Sequence, residues 1–497
     1  MHLLHDLAAG FQQVLGWLPI LTIVAGVAVG ILVGAMPGLS PSMGVALLVP
    51  FTYAMSPSLA VVLLASVYLA ANYGGSITAV TINTPGTPSS AVTALDGYPL
   101  TQQGRAGEAL GISLASSTIG GIVGTLILIL FSVPLAHLAL TFHPGDYFSL
   151  AMLGLTSVAS VGGKNWYKAY AMAILGLLIS TIGIDPISGV SRFTFGIAQL
   201  YDGFSLIPAL IGLFALSEVF TQLEHPHLGS SRVADPVTRW PTIGEYWRLK
   251  IVVLRSSLIG TVIGIFPGAG ATIASFLSYD VAKRFSGRAE QFGHGSVEGV
   301  AAAEAANSSS VGGALVPLLT LGIPGSASTA VLMGALMIHD VVPGPRLFQE
   351  NPEIIYGLFA SLLIANLVLL CLGLIGSHFW IRVTTIPKEI LYPLILATAV
   401  VGSFAVRFSM FDVACCLGFG ILGWVLRRHG YPVVPIVLGM VLGGIAETSF
   451  RQAVMMDGYG VFVVRPVSLT ILLLSALLLA VPIWRSRSRG QRERSDV

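Results

Sequence analysis

INTPGTPSSAV (residues 82–92) interrupts an apolar run with Pro-Gly and follows it with hydroxyl side chains, and LGIPGSASTAV (residues 321–331) does so again. Proline removes a backbone donor and disfavours helix in the residue before it, while glycine admits angles that other residues avoid, so the chain must break at each stretch. Within a bilayer such a break is tolerated only where protein or a water-filled cavity satisfies the freed backbone groups. Paired breaks of this kind predict broken or re-entrant helices that line an interior site.

The surroundings demand a membrane. Of 497 residues, 54% are hydrophobic and 10% are charged, with a mean hydropathy of +0.84, whereas soluble domains carry about 25% charged residues. Apolar stretches of about 20 residues recur along the chain, as hydrocarbon-spanning helices require. Candidate spans are residues 17–36, 57–72, 110–135, 145–162, 167–184 and 203–221, then 251–266, 354–380, 388–405, 410–427, 432–446 and 466–484. Residues 41–55, 77–95, 311–323 and 326–338 read as shorter, interrupted pieces.

The expected fold is therefore an all-α integral membrane protein of about 10–12 transmembrane helices plus re-entrant helical hairpins. Residues 1–16 predict an interfacial helix, residues 17–221 a first membrane repeat, 222–250 a polar linker, 251–484 a second repeat, and 485–497 a basic tail on the cytoplasmic side. The repeat rests on GILVGAMPGLS (30–40) realigning with GTVIGIFPGAG (260–270). It rests also on Thr81, Pro85, Gly86, Ser89, Ala91 and Val92 answering Thr320, Pro324, Gly325, Ser328, Ala330 and Val331. Offsets of 230 and 239 imply a duplication with a small insertion, and the two repeats are expected to be inverted. Interrupted segments at matching places in two halves point to the binding site of a secondary transporter.

A half-helix restarting after each break has first-turn N–H groups and a partial positive charge, which suit an anion without lysine or arginine. The candidate substrate-binding residues are accordingly Asn83, Thr84, Pro85, Gly86, Thr87, Ser89 and Ser90, with Gly322, Pro324, Gly325, Ser326 and Ser328. Asn72 and Asn307, each leading into a glycine pair before its break, join them. Free carbonyls and hydroxyls at the other side of each break suit a hard cation, and the candidate cation-binding residues are Gly38, Ser40, Thr81, Gly268, Thr272 and Thr320. Gly34 and Gly264, with Gly38 and Gly268, are candidate hinges. Glu447 and Arg451, four apart, are expected to pair as a structural ion pair. The scattered histidines and three cysteines show no ligand spacing, so no metal or other cofactor is expected.

YGGSITAVTINTPGTPSSAVTALDGYPL (73–100), GHGSVEGVAAAEAANSSSVGGALVPLLTLGIPGSASTAVLMGAL (293–336) and LGGIAETSFRQ (442–452) with Arg465-Pro466 resemble the large membrane subunit of the tripartite tricarboxylate transporters, the TctA family. The likeness runs from about residue 10 to 480, with NSSS standing where the family pattern has Asn-Asn-Ala. It implies a permease of the bacterial inner membrane, driven by a cation gradient, sodium or else protons, rather than by ATP. It implies two protein partners, a small four-helix membrane subunit and a periplasmic solute-binding protein that delivers an organic carboxylate, and no nucleic acid. A stand-alone cation-coupled carrier is the alternative. An intramembrane enzyme using Asp96, Asp280 or Asp340 is disfavoured because each begins or ends a polar stretch.

Overall fold

A computed structural model of the chain describes residues 2–36, 38–157, 166–224, 240–268, 270–376 and 388–479. Pro37, part of the expected linker (225–239) and the basic tail lie outside the described residues. The first part holds α1 (His2–Val14), α2 (Trp17–Ala35), α3 (Pro41–Leu48), α4 (Pro57–Ile82), α5 (Ser90–Gln102), α6 (Ala106–Ala139), α7 (Pro144–Ser157) and α8 (Trp166–Ser180). A short antiparallel hairpin of β1 (Gly183–Ile184) and β2 (Ser191–Arg192) precedes α9 (Leu206–Glu224), which contains a π-helical turn at Ile211–Leu216. The second part holds α10 (Lys250–Ile265), α11 (Gly270–Phe285), α12 (Val297–Leu321), α13 (Ala327–Ile338), α14 (Pro352–Ile375), α15 (Lys388–Arg407), α16 (Met410–Arg428), α17 (Val434–Asp457) and α18 (Pro466–Leu479).

Local chemistry sets these boundaries. Proline occupies the first turn of α3, α4, α14 and α17, where its missing N–H costs nothing. Ser296 caps α12 by accepting from the Gly299 N–H, and Ser40 caps α3 by accepting from the Met43 N–H. Among the described residues seven helices are long and apolar enough to cross a membrane, namely α2, α4, α6, α9, α14, α16 and α17. Shorter apolar helices accompany them, including α8, α13 and α18. The chain is an all-α, multi-pass membrane protein.

Two expectations about the interrupted pieces change. Residues 77–95 are not a separate short piece, because α4 runs unbroken from Pro57 to Ile82 and the interruption begins at Asn83. Likewise Val311 lies in the middle of α12, which runs on to Leu321. Both helices are sealed in the interior: every residue of α12 from Gly299 to Thr320 is buried, as is nearly all of α4 after Ala60. Small residues permit this, since only a short side chain lets helix backbones approach closely.

The close approaches also reveal direction. A Cβ placed on Gly30 would meet Val67 and Ala70, and one on Gly34 would meet Ala71 and Gly74, so α2 and α4 run parallel. Gly260 likewise meets Ala306 and Ser309, and Gly264 meets Ser310, so α10 and α12 run parallel too. Where α4 and α12 themselves touch, the order reverses: Asn72 pairs with Asn307 and Ser76 with Glu304. The two central helices are antiparallel.

Candidate functional site

Each central helix ends in the same way. At the end of α4, Asn83 adopts the left-handed conformation (φ 54°) and the Thr84 N–H reaches back to the Thr78 carbonyl at 3.2 Å. At the end of α12, Gly322 is left-handed (φ 69°) and the Ile323 N–H reaches the Pro317 carbonyl at 3.1 Å. In both, the N–H that follows the left-handed residue reaches the carbonyl six positions back, closing a seven-residue turn, and the left-handed position favours glycine and next asparagine. The tight path then needs a residue without a side chain, because a Cβ on Gly86 would lie 2.0 Å from the Gly34 oxygen and one on Gly325 would lie 2.8 Å from the Ala314 Cα. The Gly86 N–H donates to the Gly75 carbonyl at 3.2 Å, and the Gly325 carbonyl accepts from the Gly268 N–H at 3.1 Å. Pro85 and Pro324 precede these contacts, the first half-buried and the second buried.

The hydroxyls after each break act first as helix caps. In the first, the Thr87 N–H donates to Ser90 Oγ at 3.1 Å, the Ser90 N–H donates to Thr87 Oγ1 at 3.3 Å, and Thr87 and Ser89 hydroxyls meet at 3.1 Å. In the second, Ser326 and Thr329 form a reciprocal capping box. The caps leave over the amides of Ala327 and Ser328 at the start of α13. Asn83 is exposed, whereas Thr87, Ser89, Ser90 and Ser328 are buried. The anion-binding turn read from the sequence is thus already partly occupied by the chain's own hydroxyls.

One face of α4 joins these elements. Tyr68, Asn72 and Ser76 recur every four residues and so lie one above another. Tyr68 Oη meets Ser326 Oγ of the second break at 3.1 Å, the Asn72 carbonyl accepts from Asn307 Nδ2 at 3.1 Å, and Ser76 Oγ donates to Glu304 at 2.5 Å. Asn72 spends its own Nδ2 on the Tyr68 carbonyl, while Asn307 Oδ1 is buried without a partner among the described residues. The first break packs at Gly75 and the second at Tyr68, seven residues apart or about 10 Å of helix rise. The two tips therefore flank the Asn72–Asn307 contact, staggered along α4.

The candidate cation residues are less uniform. Thr81 and Thr320 each donate to the carbonyl four residues back in their own helix, at 2.7 Å. Ser40 is the cap of α3 and also meets Ser42 at 2.9 Å. Gly38 (φ 93°) lies against Gln222 of α9, Gly268 (φ 80°) holds the second break through Gly325, and Thr272 is half-buried on α11.

Several residues that sequence reasoning did not assign are brought into this region. Glu304 is fully buried and accepts hydroxyl bonds from Ser76 of α4, Thr93 of α5 and Ser117 of α6, the last at 2.8 Å. Asp96, fully buried in the middle of α5, accepts N–H bonds from Gly293, Gly295 and Ser296 and a bond from Tyr279 Oη. It anchors the start of α12 to the first half. The signal for Glu304 was visible as a lone carboxylate inside AAAEAAN, but its partners lie on three other helices.

A second polar cluster lies outside the central helices. The Glu447–Arg451 pair forms at 2.8 Å as expected, and the hairpin extends it: Arg192 bonds Glu447 at 2.6 Å and Arg451 bonds Asp185 at 2.6 Å. The Ile187 N–H and the Arg451 guanidinium hold the Asp185 carboxyl well below the usual carboxylate range. A cavity of about 350 Å³ borders this network at Arg192, Glu447 and Thr448.

Comparison with known proteins accords with this architecture. Residues 20–438 match the Tripartite tricarboxylate transporter TctA family. An uncharacterized 52.8 kDa protein in the TAR-I ttuC' 3' region of Agrobacterium vitis is 37% identical over 499 residues, covering 100% of this chain and 99% of the relative. A second protein of that organism, in the TAR-II ttuC' 3' region, is 37% identical over 233 residues, 46% of this chain and 96% of its own length. No solved structure matches significantly.

Proposed function

Because the chain belongs to the tripartite tricarboxylate transporter TctA family, and is thus a membrane subunit of a tricarboxylate transporter, we propose that it is the permease of a binding-protein-dependent secondary transporter that imports organic carboxylates by alternating access. The family is one of tripartite transporters, so further subunits accompany it. In this reading they are a small four-helix membrane subunit and a periplasmic solute-binding protein, and the complex sits in a bacterial inner membrane with the C-terminus in the cytoplasm. A cation gradient, of sodium or protons, drives uptake.

The observation that carries the reading is the pair of matched helix breaks, each closed by the same seven-residue turn, on two central helices of opposite direction. Antiparallel α4 and α12, each with a parallel glycine-packed neighbour, support an inverted duplication, the arrangement in which one half can rock against the other about a fixed site. The carboxylate binds between the breaks, near Asn72 and Asn307, using the Ala327 and Ser328 amides, the hydroxyls of Ser89 and Ser328, and the unpartnered Asn307 Oδ1 as acceptor for a substrate hydroxyl. Buried donors with few competing charges bind a carboxylate strongly because the surrounding dielectric is low.

Uptake of radiolabelled citrate into membrane vesicles carrying the complex tests the site. Ser328→Trp and Ser89→Trp are expected to abolish uptake while the protein still reaches the membrane; wild-type uptake in both variants would refute it. Omitting the binding protein should remove uptake, whereas full activity of this chain alone in liposomes would favour a stand-alone carrier.

A further inference from the structure

Glu304 presents a problem of charge. It is fully buried at the meeting of α4, α5, α6 and α12, and among the described residues no cationic side chain acts on it. An ionised carboxylate sealed away from water costs several kcal/mol unless compensated. Its compensation here is three hydroxyl donors, Ser76, Thr93 and Ser117. The titratable and charged groups around it are otherwise engaged or neutral. Tyr73 lies nearby on α4, Asp96 of α5 is satisfied by three N–H groups and Tyr279, Asp280 of α11 pairs with Arg284, and Arg105 at the head of α6 pairs with Glu108. On α10, Arg255 lies over the Phe285 ring.

Resting on the transport reading above, we propose that Glu304 is the proton-carrying group whose protonation couples the ion gradient to movement of the broken helices. In the step, a proton arriving from water on one side forms an O–H bond on a Glu304 carboxyl oxygen; on return, that bond breaks and the proton passes to water on the other side. No other reactant is consumed. A hydroxyl can accept as well as donate, so one of the three turns to accept the new O–H with no change of spacing. Hydroxyl oxygens at 2.5–2.8 Å from the carboxylate suit this exchange of hydrogens, whereas a sodium ion would need those oxygens spread around it.

The position explains how protonation reaches the substrate site. Ionised Glu304 ties α4, α5 and α6 to α12 through charge-assisted bonds, which are about twice as strong as neutral ones. Protonation weakens all three at once. Ser76 adjoins Gly75, whose carbonyl holds the Gly86 N–H of the first break, and Thr93 lies one turn into the half-helix that begins there. Asn307, which bonds Asn72, lies three residues along from Glu304.

The test uses vesicles carrying the full chain and its partner subunits, with labelled citrate as probe. Wild type is expected to concentrate citrate under an imposed pH gradient, acid outside. Glu304→Gln should equilibrate citrate yet concentrate it at least tenfold less, with no response to the pH gradient. Concentration by Glu304→Gln at the wild-type level, or wild-type accumulation that follows a sodium gradient and ignores pH, would overturn the proposal. Should Glu304→Gln prove inactive in every assay, Thr93→Val and Ser117→Ala decide: each removes a donor to the ionised form and should move the pH profile of uptake to higher pH. Unmoved profiles overturn the assignment. Failure of wild type to concentrate citrate under any cation gradient would instead sink the transport reading itself.

Discussion

At the scale of single residues, the site depends on side chains that are absent. Gly86 has the Gly34 carbonyl where its Cβ would stand, so Gly86→Ala must displace either the break or α2. Overpacking of this kind costs about 1–3 kcal/mol, and the variant is expected to unfold at lower temperature in detergent and to lose uptake. Gly444→Ala, whose Cβ would meet open space, serves as the control and should behave as wild type; equal unfolding temperatures for the two would remove the close-packing argument. Sequence reasoning located the breaks because proline and glycine act through their own backbone. It could not see that Thr87, Ser90, Ser326 and Thr329 spend their hydroxyls on caps, which depends on where the chain turns.

At the scale of elements, the hairpin of β1 and β2 owes its place to charge rather than to strand pairing. Two residues per strand form only a brief ladder, while Arg192, Asp185, Glu447 and Arg451 tie it to α17. Since the Asp185 carboxyl is held below its ordinary range, its contribution to stability is complete above the unfolded value of about 3.9 and is lost as pH falls beneath it. Thermal unfolding of wild type should thus be insensitive to this group between about pH 5 and 8 and weaken in stronger acid. Asp185→Asn should lower the midpoint at neutral pH and lose that portion of the acid dependence. An identical midpoint for the two at pH 7 would show that the network contributes nothing. The i,i+4 pair was legible in the sequence; its hairpin partners, some 255–266 residues away, were not.

At the scale of the whole molecule, direction is the informative property. The reversed pairing of Asn72 with Asn307 and Ser76 with Glu304 puts the N-terminal ends of α4 and α12 at opposite ends of the central pair. In a background with Cys371, Cys415 and Cys416 replaced, cysteines at exposed Ser56 and His294 are expected to react with a membrane-impermeant maleimide from opposite sides of the bilayer. Labelling of both from one side would contradict the opposed orientation.

The sequence by itself determined that the chain lives in a membrane as helices, where they are interrupted, and which interruptions match. Those properties follow from composition, from proline's missing donor and glycine's freedom, all of which are local. Only the tertiary structure decided that the interrupted helices run antiparallel, that their tips flank Asn72 and Asn307 with a stagger, and that a carboxylate in an alanine-rich helix meets three hydroxyls. Such partners are 187–228 residues away in sequence, and side chains so distant are brought together by helix packing, which no local pattern encodes.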